Sequence, residues 1–190
     1  MYEHGRIDDW LYLAMQRVPG GDLAAYLRER GPLPLALSAD LTAQVASALA
    51  DAHALGIIHR DVKPSNVLLS RTGSDLFAYL CDFGIAQEEQ SELTQTGMLA
   101  GSVAFAAPER IEGRQASVRS DLYSLGCLFW ILLSGNNPYQ GSDLHVMEQH
   151  LSAPIPGSPA QGREWTPRTA CWPACSPRTR TDGPARRWTP

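Results

Sequence analysis

Asp61, Lys63 and Asn66 fall within six residues of one another in the stretch IIHRDVKPSNVLL, and Asp82 follows in LCDFG beside Phe83 and Gly84. Two carboxylates and a carboxamide are hard oxygen donors of the kind magnesium accepts, and a lysine meets phosphate oxygens as a point charge. Brought together, the four groups would suit phosphoryl transfer, a reaction that asks for positioning and charge more than covalent help. Taken singly, each reads equally well as a capped turn or a solvated charge. The chemistry therefore depends on what folds the two stretches onto each other.

The stretches GIIHRDVKPSNVLLS and LFAYLCDFG are short apolar runs with polar residues at one end, separated by RTGSD. They predict a small β-ribbon that carries the polar groups. Upstream, Leu37, Leu41, Val45, Leu49 and Ala52 recur at helical spacing, which predicts a helix over 35–55 closed by Gly56. Asp22 reads as the N-cap of LAAYLRER, with Gly31, Pro32 and Pro34 ending that helix. The opening RIDDWLYLAMQRV predicts a hairpin that turns at Asp8 and Asp9, with WLYLAM buried on both faces, followed by a Gly20-Gly21 linker. Residues 85–107 lack a sustained period and predict a long functional loop, and helices are expected at 108–113, 121–134 and 143–152.

With 44% hydrophobic and 19% charged residues, the 190-residue chain fits one globular domain. Its net charge of −4 offers no basic field for nucleic acid or an anionic membrane. Cys81 and Cys127 sit in apolar runs as expected for reduced thiols, and Cys171 with Cys175 has no second pair nearby to make a metal site. The reduced thiols lead us to expect a cytoplasmic setting, with membrane anchoring of a longer parent left open; no basic, apolar leader is read at the start of the sequence, and LYSLGCLFWILL, too short to span a bilayer, is expected to be a core helix.

HRDVKPSN, then DFG, then APE at 107–109, is similar in order and spacing to the signature of bacterial eukaryotic-like (Hanks-type) serine/threonine protein kinases. The resemblance runs from Tyr2 to about Leu151 and implies an α+β, protein kinase-like fold, mainly its helical C-terminal lobe. It implies Asp61 as the catalytic base, Lys63 at the γ-phosphate, and Asn66 and Asp82 as ligands of Mg2+. Lysine two residues after the catalytic aspartate implies Ser/Thr rather than Tyr substrates, with ATP as donor. Met15 resembles the gatekeeper, Gln16 to Val18 the adenine-facing hinge and Leu68 the floor of that pocket, although their types alone would make Met15 and Leu68 ordinary core residues. Thr94 and Thr96 match autophosphorylated threonines, whose phosphates Arg60 would pair, and trans-autophosphorylation implies a homodimer. Ser102 stands where the family usually has threonine and keeps the hydroxyl that would bridge Asp61 and Lys63. Phe105 replaces a usual tyrosine. Structural roles are implied for Phe83, Gly84, Glu109 and Asp121.

The expected organisation is residual N-lobe strands and hinge over 1–18, a C-lobe over 19–152 with its catalytic loop at 59–66 and activation segment at 82–109, and a Pro/Arg-rich tail over 153–190. No G-x-G-x-x-G or V-A-I-K pattern occurs in the sequence, so the chain by itself is expected not to phosphorylate substrates detectably. The tail reads as a frameshifted or disordered stretch. Rebuilt one base out of frame, Cys171-Trp172-Pro173 can give only Leu-Ala, and permitted codons to Pro184 allow LARVLAKDPDGRP, a run similar to a kinase segment. Without the arginine of that segment, Glu109 is expected to stand unpaired. A non-catalytic remnant that binds a protein partner, or the product of a damaged gene, is the alternative to a catalytic role.

Overall fold

The computed structural model describes residues 3–8, 10–72, 75–83 and 103–157. In chain order the elements are strands β1 (Glu3–Ile7) and β2 (Trp10–Ala14), helices α1 (Leu23–Arg30) and α2 (Leu35–Ala54), strands β3 (Val67–Thr72) and β4 (Asp75–Leu80), and helices α3 (Pro108–Ile111), α4 (Val118–Ser134) and α5 (Asp143–Ser152). Single 3-10 turns at Pro64–Asn66 and Val103–Phe105 precede β3 and α3.

The core lies between α2, α4 and the β3–β4 ribbon. Leu41, Val45 and Leu49 of α2 recur every four residues and meet Leu125, Leu128 and Leu132 of α4, with Val67, Leu69 and Ala78 closing the cluster from the ribbon. These side chains are buried, and truncating one of the leucines to alanine costs about 2–5 kcal/mol in comparable cores. The α1 end is fixed by the predicted cap: Asp22 Oδ1 accepts from the Ala25 N–H at 2.7 Å, and Gly31, at φ 70°, donates back to Leu27. The Leu33 N–H donates to the Leu132 carbonyl at 2.7 Å and so locks the α1–α2 connection against α4.

The β3–β4 ribbon is antiparallel, with Val67 opposite Leu80 and Thr72 opposite Asp75. Its strands reach further than the sequence suggested, taking in Arg71, Thr72 and Asp75 from the expected turn RTGSD and leaving only 73–74 outside the described residues. Gln44 of α2 completes one edge: its Oε1 accepts from the Ala78 N–H at 2.7 Å while Nε2 donates to the Leu76 carbonyl at 3.2 Å. One carboxamide thus substitutes for a neighbouring strand.

The hairpin forms where expected, with Ile7 opposite Trp10 and Asp8 at φ 52° in the turn. Its burial is the first correction. Trp10 and Leu11 are 80% and 83% exposed, so WLYLA is not covered on both faces. Among the described residues the two-stranded sheet pairs with no further strand, and its apolar composition reads the same whether or not a second layer is present. A second correction concerns α4, which begins three residues before Asp121. Ser117 caps it, its N–H donating to Ser120 Oγ at 3.0 Å, so Asp121 lies inside the first turn with its carboxylate turned inward. Among the described residues no helix is long and apolar enough to cross a membrane, and 122–133 lies within α4, whose Leu125, Cys127, Leu128 and Leu132 are buried.

Candidate active site

After α2 the chain reverses at Gly56, which takes φ 76° and donates to the His53 carbonyl. It then runs as a loop to the 3-10 turn at Pro64–Asn66. Three carbonyl and thiol contacts lace the end of this loop to the end of β4: the Cys81 N–H donates to the Asn66 carbonyl at 2.9 Å, Cys81 Sγ lies 3.2 Å from the same oxygen, and a ring nitrogen of His59 meets the Cys81 carbonyl at 2.9 Å. The two polar stretches of the sequence are thereby held side by side.

Asp61, Lys63 and Asn66 converge as their spacing suggested. Lys63 Nζ lies 2.7 Å from Asp61 Oδ2, and Asn66 Nδ2 donates to the Asp61 carbonyl at 2.8 Å and to Oδ2 at 3.0 Å. Because both contacts use the amide nitrogen of Asn66, its carboxamide oxygen is the atom left facing away from Asp61. Asp82, bonded to Cys81, is exposed at φ 57°, a left-handed conformation that aspartate tolerates better than most residues. Among the described residues no group of three or more His, Cys, Asp or Glu could hold a metal alone. The Asn66 oxygen and the Asp82 carboxylate instead offer the sparse hard-oxygen set that suits Mg2+ when phosphates and water complete its shell.

Behind these groups sits a polar hub. Asp121, 1% exposed, accepts the His59 N–H at Oδ2 and the Arg60 N–H at Oδ1, both at 2.8 Å, and His53 Nε2 lies 2.7 Å from Oδ2. Arg60 needs this restraint, since its φ of 72° is a conformation that non-glycine residues adopt at a cost of about 1–3 kcal/mol. His59 is fully buried. The Asp61 N–H points at its Nδ1 at 3.3 Å, which makes Nδ1 the acceptor and assigns the ring proton to Nε2, directed at the Cys81 carbonyl. Burial holds His59 below the ordinary histidine range, with the Cys81 carbonyl and nearby carboxylates opposing, so the neutral ring fits that tautomer. Phe83 packs against the same ring, tilted at 50° with 4.6 Å between centroids. The Cys81 thiol is pushed up to about 11, first by burial and then by Asp82.

Glu109 corrects the expectation of an unpaired carboxylate. Ser120 Oγ donates to its Oε1 at 2.6 Å, and this bond, more than Arg114 and Arg110 nearby, holds the carboxyl below the usual range. The Ser120 hydroxyl, buried at the start of α4, therefore ties α3 to α4. Met15, Gln16 and Val18 occupy the segment after β2, and Met15 is half exposed. That segment ends against β3, where Gly20 donates to the Leu69 carbonyl, Leu69 donates to Gly21 and Asp22 bridges to Leu68. Gly84, Thr94, Thr96, Ser102, Cys171, Cys175 and the tail from 158 lie outside the described residues. Sequence reasoning gave no role to His53, Gln44 or Ser120. The Ser117-x-x-Ser120 capping spacing was a usable signal for the last, whereas a polar residue on a helix, as His53 and Gln44 are, carries no sign of what it will meet.

A lysine-steadied aspartate, an amide oriented by that aspartate and a second aspartate on the adjoining strand end form a constellation associated with phosphotransfer. The chain belongs to the protein kinase family: the family model for the protein kinase domain matches residues 1–176. It is 45% identical over 157 residues to serine/threonine-protein kinase PknE of Mycobacterium tuberculosis, an alignment covering 82% of this chain and 27% of PknE. Serine/threonine-protein kinase PkaA of Streptomyces coelicolor is 48% identical over 145 residues, covering 75% of this chain and 27% of PkaA. PknH of Mycobacterium bovis is 40% identical over 158 residues, covering 82% and 26%. The chain thus spans about a quarter of the length of these curated relatives.

Proposed function

We propose that this chain carries the catalytic-loop side of a serine/threonine protein kinase site, which transfers the γ-phosphoryl group of ATP to Ser or Thr hydroxyls of proteins. The observation that carries the proposal is the Lys63–Asp61–Asn66 cluster held beside Asp82. Asp61 would orient the substrate hydroxyl and receive its proton as the new oxygen–phosphorus bond forms and the bond to the β–γ bridging oxygen breaks, releasing ADP. Lys63 would neutralise charge at the γ-phosphate. The Asn66 carboxamide oxygen and the Asp82 carboxylate would hold Mg2+, which supplies charge stabilisation on the phosphates. Met15, Gln16, Val18 and Leu68 would line the adenine side. Ser102 would bridge Asp61 and Lys63, and phosphorylated Thr94 and Thr96 would be read by Arg60. Copies of the chain would meet in trans for that autophosphorylation.

Nucleotide and metal binding test the assignment without requiring turnover. Mn2+–ATP titrated into isotopically labelled chain is expected to broaden the amide resonances of Asn66 and Asp82 selectively, with the effect lost in Asp82→Asn. Uniform broadening, or none up to about millimolar nucleotide, the upper range of nucleotide affinity for enzymes, would sink the proposal.

A further inference from the structure

Helix α5 is held to the rest of the protein by few groups. Of its ten residues only Val146 and His150 are buried, and a helix of that length has little stability of its own in water. One of its two anchors is therefore a titratable ring. His150 is 5% exposed, and its Nδ1 lies 2.7 Å from the Tyr123 hydroxyl of α4. The rings of Tyr123 and Tyr139 both meet it edge-on, at 5.7 and 4.8 Å between centroids, and the Tyr139 hydroxyl donates to the Pro154 carbonyl just past the helix. His150 Nε2 is buried without a hydrogen-bond partner among the described residues, as is Oε1 of the neighbouring Gln149.

No counter-charge waits for a protonated ring. The Val103–Phe105 turn packs on α5 and offers only the Ala104 backbone, which opposes the effect of burial on His150. From α4 come Tyr123 and Cys127, and from the loop before α5 comes Tyr139; burial, before any other cause, raises all three and keeps them uncharged. On α3, Glu109 is engaged by Ser120 and Arg110 lies beside it. On α5 itself His145 and Glu148 are exposed and face each other at 3.8 Å. The neutral ring fits this setting, with Tyr123 donating to Nδ1 and the ring proton on Nε2. Protonation would make both nitrogens donors, set Nδ1–H against the Tyr123 hydroxyl, and bury a cation without a carboxylate.

We propose that His150 is a pH-operated latch: its neutral ring pins α5 to α4 and to the Val103–Phe105 turn, and its protonation releases α5 while the core of α2, α4 and the β3–β4 ribbon stays folded. The core can outlast the release because no residue of α5 belongs to its buried cluster. The opened ring meets water and takes up a proton, so opening becomes easier as pH falls. On the protein kinase reading the released turn adjoins Ser102, which ties the latch to the substrate side; the latch itself does not depend on that reading.

The test is amide hydrogen exchange of the full chain between pH 7.5 and 5, each rate divided by that of an unprotected amide at the same pH. Val146 and Ala153, whose N–H groups donate to the Ser142 and Gln149 carbonyls, report α5, and Leu128 and Leu132 report α4. The α5 amides are expected to be less protected than those of α4 throughout, and below about pH 6.5, the ordinary histidine value, to lose up to about tenfold in protection per pH unit. That slope should vanish in His150→Gln and persist in His145→Gln. The His150 ring, followed by NMR in the wild type, should titrate together with the loss of α5 protection, which decides the matter even if His150→Gln leaves α5 open at every pH. Protection of α5 that equals that of α4, that stays flat with pH, or whose slope survives His150→Gln would overturn the latch, as would a ring that titrates while α5 remains protected. Because no nucleotide is involved, such a failure leaves the kinase reading untouched.

Discussion

Removing the Asp121 carboxylate should unlock the loop that carries His59, Arg60 and Asp61. Asp121→Ala strands the N–H groups of His59 and Arg60, and it leaves His53 facing a gap. A buried donor without an acceptor costs about 1–3 kcal/mol, so the two amides alone set the loss at about 2–6 kcal/mol. Native domains exceed their unfolded states by only about 5–15 kcal/mol, so such a loss is readily measured. Part of it can be recovered if the loop swings out to water, and Arg60, released from φ 72°, gains by doing so. Lost stability and lost loop order are therefore alternative expressions of one event. Both are measurable: urea unfolding followed by far-UV circular dichroism gives the first, and hydrogen exchange at the His59 and Arg60 amides gives the second. Asp121→Asn keeps one carbonyl acceptor and should fall between wild type and Asp121→Ala in both. A loss below about 1 kcal/mol, the net worth of an ordinary hydrogen bond, together with unchanged exchange at both amides, would refute the hub.

Two other measurements address the frame around the loop. Burial lowers His59 and His150 relative to the unfolded chain, so the unfolded state takes up protons first as pH falls. Stability should be greatest above about pH 6.5 and decline on acidification toward the lowered folded values, by up to about 1.4 kcal/mol per pH unit for each histidine. Urea midpoints between pH 7.5 and 5 that stay flat, or a slope unchanged in His150→Gln, would contradict this. Among the glycines, a Cβ at Gly20 would lie 2.2 Å from the Leu69 carbonyl oxygen, so Gly20→Ala must displace the segment before α1 from β3 and should cost about 1–3 kcal/mol. Gly126, exposed in α4 with nothing within 4 Å of its added Cβ, should instead gain about 0.5–1 kcal/mol on substitution by alanine. Thermal midpoints that move in the same direction would show that the close approach at Gly20 is not what holds that position to glycine.

The parts of the fold legible in the sequence are those whose signal is local. The four-residue spacing of Leu41, Val45 and Leu49 fixes which face of α2 turns inward, and the Asp22 cap with Gly31 brackets α1 to the residue. What escaped is where one element meets another. WLYLA has the composition of a doubly covered strand, but composition does not report whether a covering layer exists, and Trp10 and Leu11 stand exposed. The helix was expected to begin at Asp121, yet Ser117 caps it and leaves the aspartate inside the first turn, free to turn inward. Glu109 is expected to stand unpaired for want of one arginine, but the hydroxyl of a serine eleven residues on donates to its Oε1. The last two misses are pairings between elements through polar side chains, whose type is the same on a surface as in a core.

The site itself divides along the same line. Spacing alone could group Asp61, Lys63 and Asn66, because six residues of loop cannot separate them widely. Spacing could not say how Asp82 joins them, since Cys81 lies 15 positions beyond Asn66, with the ribbon in between. The joint is made by backbone: the Asn66 carbonyl receives Cys81, and the Cys81 carbonyl receives the ring of His59. His59 in turn takes the Asp61 amide at its other nitrogen, so one neutral imidazole reports the position of each acid to the other. Protonating it would turn Nδ1 from acceptor to donor against the Asp61 N–H, which makes its burial, and the lowered proton affinity that follows, a condition for the two carboxylates to stay in register. The motif therefore depends on a histidine that need touch no substrate, and its neutrality rests on the apolar packing around it.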